Sequence, residues 1–524
     1  MLIGNSLPEY LLIRLAVPAL RLIAPLATVL GPAIFIARRY TIEQHRWLWP
    51  VGIWLVAEAG FFWGVYVPLR SILQKPAQHP APPSKEERQT LVERSLVDLP
   101  DPEYYLTKWF LNAAPQDIKR ENVKEFYAWS FLNKRCEDAT EEEEAELDDY
   151  VDQLERKTGR ALGPGRGKAV PLRTTLDPVH MQHRPLLWYM IMLSVESCVA
   201  LRFMYHGFHF RPSSALQTRV TFPLGLHSLA RKTSASSRIG YWYREHSSKS
   251  KTPIIFIHGI GIGFYTYGGF LIELNSSATA SPDDESVGII ALELTSITSR
   301  LCVEAPSAVE VKDEIKKILD QHGWEKIVLV GHSYGTGVAA TMLRDKEFAE
   351  RIEATVLMDP ICFMLHLPDV AYNFVGRVIP IVGDGNANTI VQTRRLPRQA
   401  NERMLHYFAS QDMMISHTLA RRFFWNQLIL FKEDLPPDMP LTVTLSGRDL
   451  IVPTREVWKY LTSKPAPASL KDNNGDTSWE EGSLRVHWFD KLDHAGAFAA
   501  KGVRRGLAKE IREYSGTHQA NGTR

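Results

Sequence analysis

The feature that most constrains the fold of this chain is an apolar segment that runs directly into a serine flanked by glycines. Residues Ile327-Val-Leu-Val330 are mostly β-branched, and Gly331-His-Ser-Tyr-Gly335 follows them without a break. A helix-compatible segment comes next, so Ser333 is predicted to lie on a sharp turn from strand to helix. The glycines let the backbone pass close by because they carry no side chain. The N-terminus of the following helix favours negative charge that develops near Ser333.

A glycine-rich loop upstream is the second candidate element of a reactive site. Pro253-Ile-Ile-Phe-Ile257 is predicted to be a buried strand, and it continues into His258-Gly-Ile-Gly-Ile-Gly263. Such a loop can turn a backbone N–H toward a substrate carbonyl, and with the N–H of Tyr334 it would form an oxyanion hole. We expect Ile260 to supply the second N–H, with Gly261 as the alternative. A tight turn without catalytic duty is the competing interpretation. The glycines expected to matter in the elbow and the loop are Gly259, Gly331 and Gly335.

Two further predicted strands end near residues that would complete a catalytic triad with Ser333. Leu441-Thr-Val-Thr-Leu445 is followed by a turn that contains Asp449, and a carboxylate at the C-terminal end of a parallel strand points into the active-site crevice. Arg485-Val-His-Trp-Phe489 leads to a loop that contains His494. We predict that Asp449 orients His494 and that His494 is the general base for Ser333.

Asp359 is the alternative acid. It ends the predicted strand at residues 354–358, close to the serine elbow along the chain. Pro360 follows it at once and indicates a turn into the next segment. We therefore favour Asp449 over Asp359.

These four motifs resemble the α/β-hydrolase superfamily over roughly residues 210–514. Within that superfamily, Ser446-Gly-Arg-Asp-Leu-Ile-Val-Pro453 and His494-Ala-Gly-Ala-Phe498 are similar to the lidded, lipase-like members. The whole chain is also similar to fungal membrane-anchored hydrolases of undefined substrate. The resemblance implies an α/β-hydrolase fold, which is a mostly parallel central sheet flanked by helices. It also implies a helical lid, here at about residues 360–440, inserted over Ser333.

The chain departs from the family after the predicted strand at residues 286–294. Many members carry an Asp-x-x-Gly loop there, whereas this chain has Glu293-Leu-Thr-Ser-Ile-Thr-Ser299. In the family this loop lies near the oxyanion hole. The substrates of soluble members are therefore a poor guide to the substrate of this chain.

The first 72 residues are predicted to form a membrane anchor. Residues 22–37 are uncharged and apolar, residues 11–20 extend this run upstream, and residues 47–69 form a second run with one acid, Glu58. A span needs about 20 predominantly apolar residues, so we expect one or two transmembrane helices rather than a cleaved signal peptide. A buried helix pair in a soluble protein is the alternative. Kinks are expected at Pro18, Pro25 and Pro32.

The rest of the chain divides into three predicted parts. Residues 73–98 are a proline-rich linker, residues 99–205 a helical region that packs on the hydrolase, and residues 206–518 the α/β-hydrolase domain. The helical region has an aromatic stripe over residues 101–132, which we interpret as core packing. It ends in an apolar segment at residues 188–204, for which we favour a buried helix over one lying on a membrane.

Composition excludes several classes of function. The formal net charge of the 524 residues is +2, so no electrostatic argument favours nucleic acid. The four cysteines contain no C-x-x-C pair, and no phosphate-binding loop follows a strand. His180-Met-Gln-His183 has no third metal ligand near it in sequence. We therefore expect no cofactor, no metal and no nucleic-acid partner.

The predicted function is hydrolysis of a carboxylic ester through an acyl-serine intermediate. An anchor together with an apolar, aromatic lid favours a lipophilic ester, with the lipid bilayer as partner and an internal membrane such as the endoplasmic reticulum as location. Which side of that membrane the domain faces stays open. The alternatives are a peptidase or amidase, an acyltransferase in which an alcohol replaces water, and a non-catalytic membrane scaffold. The scaffold is disfavoured because Ser333, Asp449 and His494 are all present.

Overall fold

A computed structural model gives the fold of most of the chain. It describes residues 6–41, 48–97, 99–223, 225–275, 286–376, 400–467 and 476–516. Parts of the predicted units lie outside the described residues, namely 1–5 and 42–47 of the anchor, 98 of the linker, 377–399 of the lid, and 224, 276–285, 468–475 and 517–518 of the rest of the hydrolase domain.

Helices make up the N-terminal part of the chain. They are α1 (Leu7–Thr41), α2 (Leu48–Phe61), α3 (Val67–Leu73), α4 (Lys85–Val97), α5 (Pro102–Trp109), α6 (Arg120–Leu132), α7 (Glu141–Thr158) and α8 (Leu186–Tyr205). A π-helical turn, Phe62–Tyr66, joins α2 to α3. The aromatic stripe of the sequence falls on α5 and α6, as the apolar spacing predicts.

Within the described residues, three segments are long and apolar enough to cross a membrane. They are Leu7–Ile34, Trp49–Leu73 and Leu186–Tyr205. The first of them is continuous, because α1 keeps its helical conformation through all three prolines. That these three segments could cross a membrane follows from their length and composition only.

The predicted linker is only partly a linker. Its second half is the helix α4, and Arg88 of that helix forms a buried ion pair with Glu146 of α7 at 2.6 Å. Val92 and Leu96 are buried beside this pair. The segment therefore folds as a helix because one of its faces packs against the rest of the protein. Its prolines and polar residues gave no indication of this packing.

The helix α8 is buried on one face only, so our expectation of a buried helix holds in part. Its outer face exposes Leu187, Ile191 and Leu201. Its inner face carries Glu196, which is 1% exposed and forms an ion pair with Arg300. The α8 helix thus docks on the globular part through a buried charge and turns apolar side chains outward.

Arg300 also explains the unusual loop after the strand at residues 289–293. Its Nη1 lies 2.7 Å from Oε1 of Glu293, the residue at which this chain departs from the family pattern. Arg300 therefore bridges two buried carboxylates, one from α8 and one from the sheet. Because each charge has a partner, the cluster avoids the penalty of an isolated buried ion.

One mixed sheet forms the centre of the hydrolase domain. Its strands are β1 (His209–Arg211), β2 (Gly240–Arg244), β3 (Ile254–Ile257), β4 (Ile289–Glu293), β5 (Ile327–His332), β6 (Ile352–Met358), β7 (Leu441–Ser446), β8 (Thr477–Glu481) and β9 (Leu484–Phe489). Among the described residues the order is β1-β2-β4-β3-β5-β6-β7-β9-β8. The strands from β4 to β9 in that order are parallel, while β1, β2 and β8 pair antiparallel. The predicted α/β-hydrolase fold with a mostly parallel sheet is confirmed.

The central strands β3, β4 and β5 are buried on both faces, which explains why they are almost continuously apolar. Ile255 and Ile257 of β3 belong to a core cluster that also contains residues of α4 to α7. The alternate residues, Ile254 and Phe256, belong to a second cluster on the opposite face. The N-terminal helices thus share one hydrophobic core with the hydrolase domain.

The remaining helices flank the sheet or follow β6. They are α9 (Ala215–Thr221), α10 (Gly268–Asn275), α11 (Ala308–Gln321), α12 (Tyr334–Leu343), α13 (Lys346–Ala349), α14 (Asp369–Phe374), α15 (Ala400–Met404), α16 (Met413–Arg421), α17 (Trp425–Leu428), α18 (Thr454–Thr462), α19 (Gly496–Ala499) and α20 (Lys501–Gly516). Helices α14 to α17 lie in the insertion between β6 and β7, where a helical lid is predicted. We call these four helices the lid.

Candidate active site

Ser333 occupies the turn between β5 and α12 in a strained backbone conformation. Its φ of 51° and ψ of −120° are rare for a residue with a side chain. The Ser333 N–H donates to the Met358 carbonyl at 3.0 Å, and the Thr336 hydroxyl donates to the Ser333 carbonyl at 2.6 Å. A Cβ on Gly335 would lie 2.2 Å from the Ile257 carbonyl oxygen, so this position requires glycine. The surrounding backbone therefore holds the serine in place.

The structure brings Ser333, His494 and Asp449 into one line of hydrogen bonds. His494 Nε2 lies 2.8 Å from Ser333 Oγ, and His494 Nδ1 lies 2.7 Å from Asp449 Oδ2. The other carboxylate oxygen, Oδ1, accepts from the N–H groups of Ile451 and Val452 at 2.7 Å and 2.9 Å. When His494 is neutral with its proton on Nδ1, Nδ1–H donates to Asp449 and the serine hydroxyl donates to Nε2, which is the tautomer that a general base needs.

Sheet topology explains why these distant residues meet. Ser333 follows β5, Asp449 follows β7 and His494 follows β9, and these strands lie side by side around β6 in one parallel array. Parallel strands present their carboxyl ends at one edge of the sheet, where ligands bind in such folds.

The charges around His494 favour its protonated form. Burial lowers the pKa of His494, but the carboxylates of Asp449 and Asp359 outweigh it and raise this pKa to about 9. Burial raises the pKa of Asp449, and the charge of His494 opposes that rise. The site therefore stabilises the imidazolium ion that forms when His494 takes a proton, and it leaves more neutral base as pH increases.

Asp359, the alternative acid, lies behind this line of hydrogen bonds. Its Oδ1 accepts from the Ser446 N–H at 3.1 Å, and its Oδ2 accepts from the Ala495 N–H at 2.8 Å. Burial would raise the pKa of Asp359, but contacts with His332, His494 and the Ala495 N–H hold it below its usual value. Since Ser446 begins the acid loop and Ala495 follows the histidine, Asp359 ties the two loops together.

The Ile260 N–H, rather than that of Gly261, is available to a substrate. The Gly261 N–H donates to the Ile297 carbonyl at 3.1 Å, so the alternative donor is engaged within the fold. Neither the Ile260 N–H nor the Tyr334 N–H donates to another described residue. Ile260 and Tyr334 also line the same cavity as Ser333. These two N–H groups remain the candidate oxyanion hole.

Two residues that the sequence did not single out hold this loop. His258 Nε2 accepts from the Leu294 N–H at 3.0 Å, which places the proton on Nδ1, and Nδ1 donates to the Gly259 carbonyl at 2.8 Å. Burial lowers the pKa of His258 to about 4, so it stays neutral. The Gly259 N–H donates to the Tyr267 hydroxyl at 3.1 Å. The position of His258, directly after a buried strand, was the available signal.

Close packing explains the glycines of the elbow and the loop. A Cβ on Gly259 would lie 2.6 Å from the Cβ of Ser333, so the loop can approach the serine only without a side chain. A Cβ on Gly331 would lie 3.1 Å from the Gly335 carbonyl oxygen, which is a tighter contact than most side chains make. Gly259 therefore sets the spacing between the loop and the elbow, and Gly331 lets the end of β5 approach the start of α12.

Asp359, Asp449 and His494 are also the group of described residues that could hold a metal ion. Each offers one ligand atom, and these atoms lie within 4.8 Å of one another. The same atoms already bind protein partners, namely backbone N–H groups for both carboxylates and Ser333 for the imidazole. The donor set is that of a hydrogen-bonded triad, and we assign no metal to it.

A mostly apolar cavity opens beside Ser333. The lid lines it, as the sequence suggested, but the N-terminal helices α5 and α6 line it as well through Trp109 and Trp129. Other lining side chains include Ile260, Ile361, Leu365, Val370, Phe374, Leu419, Phe423, Trp425 and Ile451. The wall from α5 and α6 was not predicted, because their aromatic stripe indicated only core packing.

Comparison with known families places the core of this domain. Residues 252–483 match the family model described as the α/β hydrolase fold. A curated Caenorhabditis elegans protein, the abhydrolase domain-containing protein abhd-5.2, is 30% identical over 129 residues, which are 25% of this chain. The chain covers 28% of the length of that protein. The similarity to that protein is therefore local.

Solved structures to which the chain is similar include a phospholipase and an esterase. A bacterial membrane phospholipase A has a TM-score of 0.38 and 13% identity, covering 64% of this chain and 94% of its own. A thermophilic esterase from Thermogutta terrifontis has a TM-score of 0.34 and 13% identity, covering 53% of this chain and 95% of its own.

Proposed function

We propose that this chain, whose residues 252–483 belong to the α/β-hydrolase family, is a membrane-associated serine hydrolase that cleaves a lipophilic carboxylic ester. The observation that carries the proposal is the contact between Ser333 Oγ and His494 Nε2 at 2.8 Å, continued to Asp449 and placed at an apolar cavity. A serine activated in this way is the nucleophile of acyl-transfer chemistry.

The proposed mechanism assigns one role to each group. His494 Nε2 removes the proton of Ser333 Oγ as the oxygen attacks the ester carbonyl, and Asp449 stabilises the resulting imidazolium. The N–H groups of Ile260 and Tyr334 hold the negative oxygen of the tetrahedral intermediate. His494 then gives its proton to the departing alcohol, and an acyl-serine remains. Water, activated by the same imidazole, releases the acid and restores Ser333.

The shape and chemistry of the cavity support a lipophilic acyl group. Aromatic and aliphatic side chains from the lid and from α5 and α6 form most of its wall. Burial of an apolar chain contributes about 25 cal/mol for each Å² removed from water. Among the described lining residues there is no carboxylate that could bind a free amino terminus, which disfavours the peptidase alternative.

Three apolar segments support association with a bilayer. The three segments expose apolar side chains on α1, α2, the π-helical turn after α2, and α8, namely Leu15, Val29, Ile53, Trp63, Leu187, Ile191 and Leu201. The one acid of the second segment, Glu58, is fully buried and accepts from the N–H groups of Leu186 and Leu187 at 2.8 Å and 2.9 Å. Glu58 therefore caps α8 and leaves the outward surface free of its charge.

The anchor segments also contact the lid. His417 of α16 lies with Nδ1 3.2 Å from the Leu73 carbonyl oxygen, and Arg421 Nε donates to the Lys75 carbonyl at 2.8 Å. Met413 and Met414 pack in one cluster with Tyr66 and Leu73. We propose that the end of the second apolar segment supports the roof of the pocket, which would place the pocket close to the membrane.

Covalent labelling tests the catalytic proposal. The full-length protein in detergent micelles should react with a fluorophosphonate probe, and Ser333→Ala should abolish the labelling. Long-chain esters should be cleaved with higher kcat/KM than acetyl esters. Absence of labelling in the folded wild type would refute the hydrolase, while cleavage of acetyl esters alone would refute only the lipophilic substrate.

Membrane extraction tests the anchoring proposal. Leu187→Glu combined with Ile191→Glu puts charge on the exposed face of α8 and should weaken retention in the membrane pellet during an alkaline carbonate wash. The matched control is Lys168→Glu, outside the apolar segments. Wild-type protein that is released completely by the wash would contradict an integral association.

A further inference from the structure

A second cavity lies behind the apolar pocket, and the two share part of one wall. This rear cavity is small, with room for about one water molecule, and is lined by residues of α4 to α6, the lid and the segment after β6. Trp109, Trp129 and Trp425 line both cavities. We call these three residues the tryptophan wall.

Each indole of the tryptophan wall is held in place by its N–H group. Trp109 Nε1 donates to the His366 carbonyl at 3.3 Å, and Trp129 Nε1 donates to the Thr175 hydroxyl at 2.8 Å. The ring centroids of Trp109 and Trp129 are 5.9 Å apart. Because buried indoles with fixed N–H groups do not rotate freely, the wall is a rigid boundary.

The third indole links the lid to the N-terminal helices. Trp425 Nε1, on α17, donates to the Ser130 carbonyl of α6 at 2.9 Å, and its ring packs edge-on against Phe131 at 5.7 Å. The wall is thus assembled from two regions that are far apart in sequence. Its position depends on docking of α5 and α6 onto the lid.

The two cavities differ in chemistry. The front cavity has mainly carbon at its surface, whereas the rear cavity contains the Ser95 hydroxyl and both ring nitrogens of His366, which are buried without a hydrogen-bond partner. Burial lowers the pKa of His366 to about 4, so the ring is neutral. Contact with a hydrocarbon tail would leave these polar groups without hydrogen bonds, which is unfavourable. An acyl chain that enters from Ser333 therefore meets its natural end at the tryptophan wall.

We propose that the tryptophan wall sets the longest acyl chain that the pocket accepts. The proposal rests on the proposed esterase function and assigns its chain-length specificity to residues of the N-terminal helices and of the lid. These residues touch the far end of the acyl group and take no part in the chemistry. A smaller residue at position 129 would join the two cavities and lengthen the pocket.

The test compares chain-length profiles of the full-length protein in micelles, with p-nitrophenyl esters from acetyl to palmitoyl. Trp129→Leu should raise the ratio of kcat/KM for chains beyond the wild-type optimum to that for short chains by about tenfold or more, the effect expected of added room for one or more methylene groups. Trp458→Leu is the matched control, because Trp458 is equally buried in α18 but lines neither cavity. It should leave the profile unchanged.

A second variant separates chain length from general loosening. Ser95→Leu puts a carbon side chain into the space that Trp129→Leu opens, so the double variant Trp129→Leu/Ser95→Leu should return toward the wild-type profile. If Trp129→Leu does not fold, Trp129→Phe serves in its place with a smaller shift in the same direction.

Probe labelling at Ser333 separates this proposal from the one on which it depends. A labelled Trp129→Leu enzyme with an unchanged profile would overturn the role of the wall and leave the hydrolase proposal intact. A wild-type enzyme that neither reacts with the probe nor cleaves any ester would refute the hydrolase itself. A profile that shifts equally in the Trp458→Leu control would also overturn the wall.

Discussion

The edge of the sheet and the roof above it are built in opposite ways. At the edge, Ser333, Asp449 and His494 each follow a strand, and hydrogen bonds of defined length fix all three. The roof, by which we mean α5, α6 and the lid, lines the cavity beside Ser333 mostly with aromatic and aliphatic side chains. Directional hydrogen bonds thus hold the edge of the sheet together, whereas the roof is held together by packing of apolar side chains.

This difference separates two kinds of control. Hydrogen bonds at the edge set proton positions, so a change there should act on turnover. Packing in the roof sets the volume and the wall of the pocket, so a change there should act on stability and on substrate choice. Substitutions in each region can test whether the division holds.

The largest effect is expected from Asp449→Asn. An amide in place of the carboxylate removes the acceptor for His494 Nδ1–H and favours the wrong tautomer, so kcat should fall by about 10⁴-fold. The measurement is kcat on a short ester, with circular dichroism to verify folding. If Asp359→Asn removes activity to this extent while Asp449→Asn does not, the assignment of the acid is reversed.

Gly259→Ala should have the next largest effect. The added Cβ would meet the Cβ of Ser333 at 2.6 Å, which displaces the loop that carries the Ile260 N–H. Loss of one oxyanion donor costs on the order of 10²–10³ in turnover. The control is Gly261→Ala, because a Cβ there has nothing within 4 Å and its N–H is retained. That control should stay within about twofold of the wild type, and equal losses in both variants would argue against the oxyanion assignment.

Asp359→Asn should change the pH dependence as well as the rate. In the proposed mechanism the neutral form of His494 is the base, so kcat/KM of the wild type should rise as pH increases through its pKa of about 9. Removing the Asp359 charge lowers that pKa, and the rising limb should move to lower pH. An amide also leaves one of two backbone N–H groups without its acceptor, which should reduce the plateau about tenfold. An unmoved limb would show that Asp359 exerts no electrostatic effect on the histidine.

Arg421→Met tests the roof. Arg421 of α16 donates to the carbonyls of Lys75 and Asp177 at 2.8 Å and 3.0 Å, so it joins the lid to the end of the second apolar segment. Loss of these charged hydrogen bonds should reduce the free energy of unfolding by about 2–3 kcal/mol. Turnover on a short ester should change by less than about threefold, since no reacting atom is touched. Thermal unfolding and kcat measured together check this, and a large fall in kcat without loss of stability would break the division between edge and roof.

Much of the edge was predictable because each part has a local pattern. An apolar strand followed by Gly331-His-Ser-Tyr-Gly335 predicts a turn, and acidic or histidine residues placed after later strands predict where a parallel sheet gathers them. The choice between Asp449 and Asp359 was only partly predictable. Both follow neighbouring strands, and only the side-chain contacts place Asp449 against His494 and Asp359 against two backbone N–H groups.

For the roof, the sequence predicted only that its side chains are apolar and aromatic, not which of them line the cavity. The aromatic residues of α5 and α6 indicate burial, but burial in a core and exposure to a substrate cavity have the same periodicity. The helix α4 escaped prediction because its stabilising partner, Glu146, lies 58 residues from Arg88 in the chain. Contacts of that range have no sequence pattern.

The sequence by itself determined the α/β-hydrolase fold and the residues that are candidates for chemistry, because strand periodicity and turn glycines are local properties of the chain. Only the tertiary structure decided what those residues face. It gave Glu58 the role of a helix cap, placed Trp109 and Trp129 in the wall of the pocket and engaged the Gly261 N–H within the fold. The physical reason is that burial, hydrogen-bond partners and cavity walls arise from packing between segments far apart in sequence, which local patterns do not encode.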